Sequence, residues 1–424
     1  MKKIIQSVRG TRDFYPPQMA VRRWLYQLID EVSVSFGYQE YDGPFIEKID
    51  LYAAKSGEEI VKEQAFVFSD RGGELVALRP ELTPSLARMI AEKQNELVYP
   101  LRWWSFGPFW RYEKPQKGRS REFFQWNIDM VGADSASADA EMIAICANFL
   151  KKVGFTPDQV VIKVNHRKLI EEQIALAGIK TEQRKDVFRL IDRLDKQTRN
   201  NWLAHGKELN LTDTQLEKIE LMLADGELWR KSPELEEIFS LLEVHGVAEY
   251  VKYDSKIVRG LDYYTGTVFE AWDADKDGRA ILGGGHYGNL ISEVGGDSLP
   301  GVGFAMGDVM IALVMEKHGC MPEILPLPDS VLVTIFDEQN ISSAIALSSQ
   351  LRASGLKVIC FPEPAKLQKQ LKFADRMQIR IVVVLGPEEI AAGNVSIKNL
   401  VDRTQVTVPL ELAAATITGL LASQ

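Results

Sequence analysis

Two strand-like segments between residues 109 and 130 flank a basic turn around Pro115 and Gly118. Successive side chains of a strand point to opposite faces. The second segment therefore has an apolar packing face, which consists of Phe124, Trp126, Ile128 and Met130. Its other face is mixed and consists of Phe123, Gln125, Asn127 and Asp129. The mixed face indicates either an ordinary exposed hairpin or a pocket floor, whose mouth would carry Arg111, Arg119 and Arg121.

Helical spacing of apolar residues marks the start and the middle of the chain. A helix is predicted over 18–36, where the apolar stripe consists of Trp24, Leu25, Leu28, Ile29 and Val32. A strand-like segment follows at 38–46. Residues 167–247 have helical spacing and few strand formers, which predicts an inserted helical module. The flanking segments 159–165 and 249–253 are predicted as strands of one sheet.

A hairpin and the start of a helix are predicted on either side of Glu81. Strand-like patterns at 65–69 and 74–78 predict the hairpin. Thr83 is predicted to cap the following helix, with Pro84 at the first helical position. Capping accounts for these two residues without any function. It leaves Glu81 between a strand end and a helix start, a common position for a binding residue.

Strand-like and helical patterns alternate after the prolines at 322, 326 and 328. The predicted strands lie at 331–336, 357–361 and 379–385. The predicted helices lie at 339–354, 365–377 and 413–422. Strands that alternate with helices favour a mostly parallel sheet covered by helices. On the second of these helices, the side chains of Lys366, Lys369 and Lys372 either contact phosphates or, as is commoner for such a pattern, form a solvated face.

Length and charge limit the class of protein. With 424 residues, the chain is long enough for two or three domains, and its 46% hydrophobic content is ample for their cores. The formal net charge of −9 excludes a uniformly basic nucleic-acid binder. Basic patches on an acidic body are still compatible with this charge, and such local patches are what steers RNA.

Cysteine and histidine spacing indicates neither a disulfide framework nor a zinc cluster. Cys146, Cys320 and Cys360 lie far apart, and the five histidines lack ligand spacing. The N-terminal lysines are not followed by the apolar run of a signal peptide. No segment approaches the ~20 apolar residues that span a bilayer. We therefore expect a soluble cytoplasmic protein without a membrane segment or a metal cluster.

Three strings carry a resemblance to one family. The string Arg-Tyr-Glu-Lys-Pro-Gln-Lys-Gly-Arg at 111–119 is similar to motif 2 of the class II aminoacyl-tRNA synthetases, in the form seen in histidyl-tRNA synthetases. Val-Arg-Gly-Leu-Asp-Tyr-Tyr at 258–264 resembles the first histidine-specific motif of that family, and Arg-Pro-Glu-Leu-Thr at 79–83 is also specific. The resemblance covers nearly the whole chain, from Arg-Gly-Thr-Arg-Asp at 9–13 to the C-terminal domain.

The resemblance implies an α+β fold, with a class II antiparallel sheet flanked by helices. The implied domains are a catalytic core at 1–166, a helical insertion at 167–247, a second part of the core at 248–321 and an α/β anticodon-binding domain at 329–424. The helix, strand and proline between residues 18 and 46 resemble motif 1, which in the family forms the dimer interface. A homodimer is therefore implied.

The resemblance also implies ATP-dependent activation of L-histidine to histidyl adenylate, followed by transfer to the 3′ end of its tRNA. Mg²⁺ would accompany ATP. The implied catalytic residues are Arg259 and Arg111, which in the family lie near the α-phosphate. The implied histidine-binding residues are Glu81, Thr83, Arg111, Gln125, Asp129, Arg259, Tyr263 and Tyr264. The implied ATP-binding residues are Arg111, Glu113, Arg119, Arg121 and Phe123.

The sequence departs from the family pattern at several positions. The second histidine-specific motif usually reads Gly-Gly-Arg-Tyr-Asp, but here His286 and Gly288 replace the Arg and the Asp. Motif 3 usually ends in Gly-Leu-Glu-Arg, but Met310 takes the Arg position. Asp129 stands where many members have Glu. The Gly283–Gly285 run predicts a tight turn beside the pocket, because no dinucleotide or P-loop pattern accompanies it.

A second interpretation is a non-catalytic relative, a synthetase-like regulatory subunit of the ATP phosphoribosyltransferase that begins histidine synthesis. The loss of the motif 3 arginine fits this interpretation. Such paralogues usually lack the C-terminal domain and the residues that activate the amino acid, whereas this chain keeps Glu81, Arg111, Arg259 and the domain at 329–424. The sequence therefore favours the synthetase, and tRNA binding separates the two interpretations.

Overall fold

The computed structural model describes residues 4–53, 64–116, 118–194, 197–258, 264–275, 279–288, 291–324, 327 and 329–422. The predicted site residues Arg259 and Tyr263 lie outside these ranges. The described chain divides into two compact units. The first consists of Met1–Asp13 and Arg23–Met321, and the second consists of Phe14–Arg22 and Pro322–Gln424.

The strands of the first unit form a large and a small sheet. In chain order they are β1 (Gln39–Glu40), β2 (Ile46–Lys48), β3 (Phe66–Ser69), β4 (Leu75–Leu78), β5 (Leu101–Trp110), β6 (Glu122–Val131), β7 (Val160–His166), β8 (Val251–Tyr253), β9 (Tyr264–Asp273), β10 (Leu282–Tyr287) and β11 (Gly301–Gly307). Among the described residues, the large sheet has the order β1-β5-β6-β11-β10-β9-β7-β8, and the small sheet has the order β2-β4-β3. Only the end pairs β1–β5 and β7–β8 of the large sheet are parallel. The expected antiparallel sheet is therefore confirmed.

The helices of this part of the chain flank the large sheet and fill the predicted insertion. In chain order they are α1 (Pro16–Ser35), α2 (Ile49–Ala53), α3 (Thr83–Lys93), α4 (Ala136–Val153), α5 (Arg167–Leu176), α6 (Arg184–Asp192), α7 (Arg199–Glu208), α8 (Asp213–Ala224), α9 (Pro233–Val244) and α10 (Asp308–His318). Helices α5 to α9 confirm the helical character of the central segment, and its limits as a domain stay a prediction. Within the described ranges, no helix is long and apolar enough to cross a membrane.

Helix α4 covers the apolar face of β6, as the alternation of that strand predicted. Ile128 and Trp126 are fully buried there, and the Trp126 ring centroid lies 5.1 Å from that of Phe149 on α4. Burying a side chain of the size of Ile128 contributes about 1.5–3 kcal/mol. The helix begins where the Ser135 hydroxyl accepts from the Ala138 N–H, and it ends at Gly154, whose φ of 105° is left-handed. This packed face leaves the mixed face of β6 on the other side of the sheet.

Two local predictions need correction. The segment at 38–46 is not one strand, because the Gly43-Pro44 pair separates β1 from β2 and proline has no N–H for a ladder. Thr83 is the first residue of α3 rather than its cap, since Leu82 already has helical dihedral angles and its carbonyl accepts from the Leu86 N–H at 3.0 Å. The helix therefore begins one residue earlier than its capping pattern predicted.

The second unit contains a five-stranded sheet among its described residues. Its strands are β12 (Ser330–Val333), β13 (Lys357–Cys360), β14 (Ile381–Val384), β15 (Asn394–Asn399) and β16 (Thr404–Pro409). Its helices are α11 (Ile341–Ala353), α12 (Leu367–Arg376), α13 (Pro387–Ala392) and α14 (Ala413–Ala422). Strands β13, β12 and β14 are parallel, as predicted, whereas β15 and β16 continue the sheet antiparallel. The sequence pattern missed these two strands, because polar side chains at their ends hide the alternation and β16 is exposed at the sheet edge.

Candidate active site on the large sheet

A cavity of about 950 Å³ lies over the mixed face of the large sheet. Its wall at the β5–β6 hairpin contains four residues predicted for ATP or catalysis, namely Arg111, Glu113, Arg119 and Phe123. The cavity continues past the end of β11 to Glu270 and Trp272 on β9 and to Lys163 on β7. The sheet order thus joins residues from distant parts of the sequence into one site.

The mixed face of β6 is not the face of a solvated hairpin, because Phe123 lines the cavity and the residues beyond it are largely buried. Asn127 and Asp129 are only 5% and 8% exposed, and Phe123 and Gln125 are half-buried. The Phe123 ring stacks on Phe109, its partner in β5, with centroids 5.9 Å apart. Buried polar side chains need hydrogen-bond partners, so this face differs from an ordinary solvated one.

Glycines form the centre of the floor. On β11, Gly303 pairs with Asp129 on one side and with Gly285 on the other. A Cβ atom on Gly303 would collide with Asp129 Oδ1, and a Cβ atom on Gly285 would lie 2.8 Å from Cδ1 of Tyr264. The Gly283–Gly285 run lies within β10, so the predicted tight turn is wrong. These glycines serve close packing instead, which the short sequence pattern could not distinguish from a turn.

Two phenols that the site prediction missed lie beside Asp129. The Tyr287 hydroxyl donates to Asp129 Oδ1 at 2.9 Å. The buried Tyr41 hydroxyl has no hydrogen-bond partner among the described residues, and the Tyr41 ring lies 5.3 Å from that of Trp103. Burial, together with the negative charges of Asp129 and Asp42, raises the pKa of Tyr41 well above its usual value. The retained tyrosine of the second histidine-specific motif was the available signal for Tyr287.

Arg111 connects the hairpin with the segment that carries Glu81. Its Nε donates to the Pro80 carbonyl at 2.9 Å, and its guanidinium carbon lies 5.3 Å from the Phe123 ring centroid. Half-buried Glu81 follows Pro80 directly, and half-buried Thr83 begins α3. The structure therefore brings the cation predicted for the phosphate next to the segment predicted for the amino group.

Arg79 fixes this segment from beneath and was not predicted to do so. It is fully buried, with its guanidinium carbon 4.5 Å from the Phe45 ring centroid and 4.6 Å from that of Phe109. Its Nε donates to the Pro108 carbonyl at 2.9 Å, and it forms an ion pair with Asp42. A buried charge that is stacked and paired in this way holds a rigid geometry.

The remaining arginines of the hairpin already have partners within it. Arg119 forms an ion pair with Glu113, with 2.7 Å between Nη1 and Oε2. Arg121 donates from Nε to the Glu113 carbonyl at 3.2 Å and lies over the Tyr112 ring, 4.3 Å from its centroid. Any phosphate bound by these two guanidinium groups has to compete with these contacts.

The structure places the last described site residue, Tyr264, at the start of β9, opposite Tyr287 of β10. Tyr264 is buried. Val258, just before the undescribed segment 259–263, lines the cavity. Tyr264, just after it, lies beside Gly285. The predictions for Arg259 and Tyr263 are not tested by the geometry.

Comparisons with known proteins match both units of the chain. A family model described as histidyl-tRNA synthetase matches residues 10–309. The chain belongs to the histidyl-tRNA synthetase family. A second model, described as an anticodon binding domain, matches residues 324–420. Together, these matches confirm the fold that the motifs implied.

Individual relatives match almost end to end. The chain is 34% identical over 419 residues to a histidine--tRNA ligase of Leptospira biflexa serovar Patoc, covering 96% of this chain and 95% of the relative. It is 36% identical over 423 residues to the chloroplastic/mitochondrial histidine--tRNA ligase of Arabidopsis thaliana, covering 96% and 86%. The crystal structure of a histidyl-tRNA synthetase from Nostoc sp. PCC 7120 superimposes with a TM-score of 0.84 at 27% identity, covering 99% of this chain and 100% of that chain.

The departure from the family pattern at motif 3 lies at the start of α10, where Asp308 and Met310 make the contacts. Asp308 is buried, its Oδ1 accepts from the Phe124 N–H at 2.9 Å, and its Oδ2 lies 2.7 Å from Nη2 of Arg12. Met310, at the position of the family arginine, lines the cavity and packs against Gly118, where a Cβ atom would collide with its sulfur. A thioether thus closes the side of the cavity where the family usually has a guanidinium.

The departure at the second histidine-specific motif lies on the opposite face of the sheet. His286 is buried, with Nδ1 2.9 Å from Asp139 Oδ1 and Nε2 3.3 Å from Asp134 Oδ1. Burial disfavours the charged ring, but the hydrogen bond and charge of Asp139, with the charge of Asp134, outweigh burial and raise the pKa of His286. His286 therefore belongs to the support of β10 and not to the pocket.

Proposed function

We propose that this chain is a histidine–tRNA ligase, which activates L-histidine with ATP and transfers it to the 3′ end of its tRNA. One observation carries the proposal: the β5–β6 hairpin places Arg111 and Phe123 in the cavity wall, with buried Asp129 on the same face of β6 as Phe123. A guanidinium suits the phosphate, an aromatic ring suits adenine, and a carboxylate suits an imidazole N–H. Family membership agrees with this set of groups.

The first step joins two anions. The histidine carboxylate attacks the α-phosphorus of ATP, a P–O bond forms, and pyrophosphate leaves. Arg111 and Arg259 neutralise charge at the α-phosphate and hold the reactants in line. Phe123 stacks on adenine, Glu113 accepts from its amino group, and Arg119 and Arg121 bind the outer phosphates after their contacts within the hairpin open. In the second step, a hydroxyl of the terminal ribose of tRNA attacks the acyl carbon and AMP leaves.

Histidine binding uses the deeper part of the floor. Glu81 and Thr83 bind the α-amino group beside Arg111. The imidazole-binding residues are Gln125, Asp129, Tyr263 and Tyr264. A polar pocket of this kind rejects analogues that cannot form its hydrogen bonds, by a factor of about 10⁴–10⁵ in the best cases.

Mg²⁺ enters this scheme with ATP. Among the described residues, no group of three or more His, Cys, Asp or Glu side chains is arranged to hold a metal ion. Mg²⁺ commonly relies on substrate phosphates and one or two carboxylates, and the cavity offers Glu270. Bound there, Mg²⁺ would neutralise phosphate charge.

We also propose a homodimer and an anticodon-binding role for the C-terminal unit. The small sheet supports the dimer, because Ile46, Phe68 and Leu75 are 50%, 43% and 50% exposed. The match to the anticodon binding domain at 324–420 supports the second role. Sedimentation at several concentrations tests the dimer, and a dimer should persist at micromolar protein.

Histidine-dependent exchange of labelled pyrophosphate into ATP, measured without tRNA, tests the activation step. Exchange with histidine but not with histidinol or glutamine is the expected result. Histidinol lacks the carboxylate that attacks the phosphate, and glutamine lacks the imidazole. Absence of exchange from folded protein that still binds histidine would contradict the proposal. It would favour the regulatory-subunit alternative, which copurification with a phosphoribosyltransferase would then test.

A further inference from the structure

Tyr287 reaches Asp129 across a whole strand. Asp129 lies on β6 and Tyr287 on β10, with β11 between them, so the hydrogen bond crosses about 9–10 Å of sheet. The ring passes over Gly301, where a Cβ atom would lie 2.7 Å from Cε2 and 2.8 Å from Cζ of Tyr287. The next pocket-facing residue of β11 is Gly303, which leaves room for the Asp129 carboxylate. The contact is therefore possible because positions 301 and 303 of β11 are glycines.

In the hydrogen bond between Tyr287 and Asp129, the phenol is the donor, and both side chains are buried. The hydroxyl donates to Oδ1 at 2.9 Å, and Tyr287 and Asp129 are only 2% and 8% exposed. A phenol that donates to a carboxylate stabilises its ionised form, which only accepts. The two oxygens of an ionised carboxylate together offer about four acceptor sites, so one hydrogen bond does not exhaust them. The partner that such a site accepts must offer an N–H or O–H donor.

We propose that Tyr287 is a specificity-determining residue, whose hydroxyl fixes Asp129 as an acceptor for the ring N–H of the amino-acid substrate. This inference rests on the proposed function, because it assumes that Asp129 receives the imidazole. Tyr287 acts through Asp129 and is therefore a positioning residue. It makes the presence of a ring N–H, rather than ring size, the feature by which the site selects its substrate.

The ring of Tyr287 is held independently of its hydroxyl. It packs in an apolar cluster with Leu86, Val131 and Ile291. The neighbouring His286 anchors β10 from the opposite face through Asp139. Removal of the hydroxyl alone should therefore leave the strand in place, which makes Tyr287→Phe a clean test.

The test measures L-histidine binding by calorimetry without ATP, using the full chain. Tyr287→Phe should weaken histidine binding by about 10- to 100-fold, the effect of losing a hydrogen bond to a charged group. Tyr250→Phe is the matched control, since the Tyr250 hydroxyl donates to the Phe155 carbonyl at 2.9 Å and is equally buried, but belongs to another part of the unit. It should leave histidine binding unchanged. The KM for ATP should not change in either variant.

A second ligand and a double variant distinguish the positioning of Asp129 by Tyr287 from a general loss of structure in the Tyr287→Phe variant. β-(2-Thiazolyl)alanine has a ring of similar size without an N–H, so wild-type protein should prefer histidine strongly and Tyr287→Phe should reduce that preference at least about tenfold. Asp129→Asn should weaken histidine binding, and adding Tyr287→Phe to it should cause little further loss, because the two residues act as one unit.

Each outcome has a distinct meaning. Unchanged histidine binding by Tyr287→Phe, additive effects in the double variant, or equal wild-type affinity for histidine and thiazolylalanine would overturn the role of Tyr287. In these cases, histidine-dependent exchange by the wild-type protein would leave the proposed function intact. Wild-type protein that binds no histidine at all would overturn both.

Discussion

His286 on β10 and Asp139 on α4 form a buried pair, with 2.9 Å between Nδ1 and Oδ1. The family usually carries an arginine at this position of its second histidine-specific motif. A histidine can replace its charge only while protonated, and the raised pKa of His286 favours that form. The pair thus attaches β10, the strand that carries Tyr287, to α4. We expect the strength of this attachment to depend on pH.

The stability that His286 contributes should fall as pH rises. Because its pKa is raised in the folded chain, the contribution is complete below the ordinary value of about 6.5 and is lost through the folded pKa. His286→Asn should therefore lower the melting temperature more at pH 6 than at pH 9. Thermal melts across this range, with Asp139→Asn as the companion variant, check the prediction. A difference that stays constant with pH would contradict it.

Asp308 should matter more for stability than its partner Arg12. Asp308→Ala removes the acceptor of the Phe124 N–H, and an unpaired buried group costs about 1–3 kcal/mol. Arg12→Ala should cost less, because the Arg12 side chain is 32% exposed and solvent screens its charge. Urea unfolding of both variants measures the two losses in the free energy of unfolding. The opposite ranking would show that Arg12 has another structural role.

Restoring the family arginine at position 310 should not improve ATP binding. Met310 packs tightly against Gly118, so a longer charged side chain would displace the motif 2 loop. Met310→Arg should raise the KM for ATP about tenfold, within the range expected for overpacking. Met310→Leu should have little effect. Pyrophosphate exchange at varied ATP concentrations measures this, and a lower KM for Met310→Arg would contradict the packing explanation.

Arg259→Ala should reduce adenylate formation by ~10²–10³ while histidine still binds, because the lost charge acts on the phosphate in the transition state. Exchange kinetics and calorimetry on the same preparation check both parts. Arg167→Ala is a suitable control, since its guanidinium packs over Phe188 within the helical module. Unchanged turnover of Arg259→Ala would remove Arg259 from its proposed role.

Deletion of 329–424 should spare adenylation and impair tRNA charging. The second unit has its own core, which includes Val331, Val383 and Ile397, and the large sheet of the first unit packs in a separate core that includes Trp126 and Ile128. Exchange and charging assays on the shortened chain test this. Charging at the full rate by the shortened chain would contradict the role of this domain.

RNA binding by the full chain should weaken as salt rises, because it depends on phosphate contacts.

The alternation along β6 predicted its two faces correctly, and local strings predicted the β3–β4 hairpin, α1 and the helical module. These features depend on side-chain periodicity and on contacts between near neighbours, so a short window of sequence contains the necessary information. The same reasoning failed for β15 and β16, which pair as a local hairpin but carry polar side chains that hide their alternation. It also failed for Gly283–Gly285, because a triplet of glycines fits a turn and a close-packed strand equally well.

The sequence by itself determined the family, the antiparallel sheet and the identity of most candidate residues, because these follow from residue type, spacing and motif strings. Only the tertiary structure decided which of these residues meet. Tyr287 and Asp129 are 158 residues apart, His286 and Asp139 are 147 apart, and Arg12 and Asp308 are 296 apart. Such contacts arise from the order of strands and helices, and the contact of Tyr287 with Asp129 also needs Gly301 and Gly303 on β11. No local pattern encodes them.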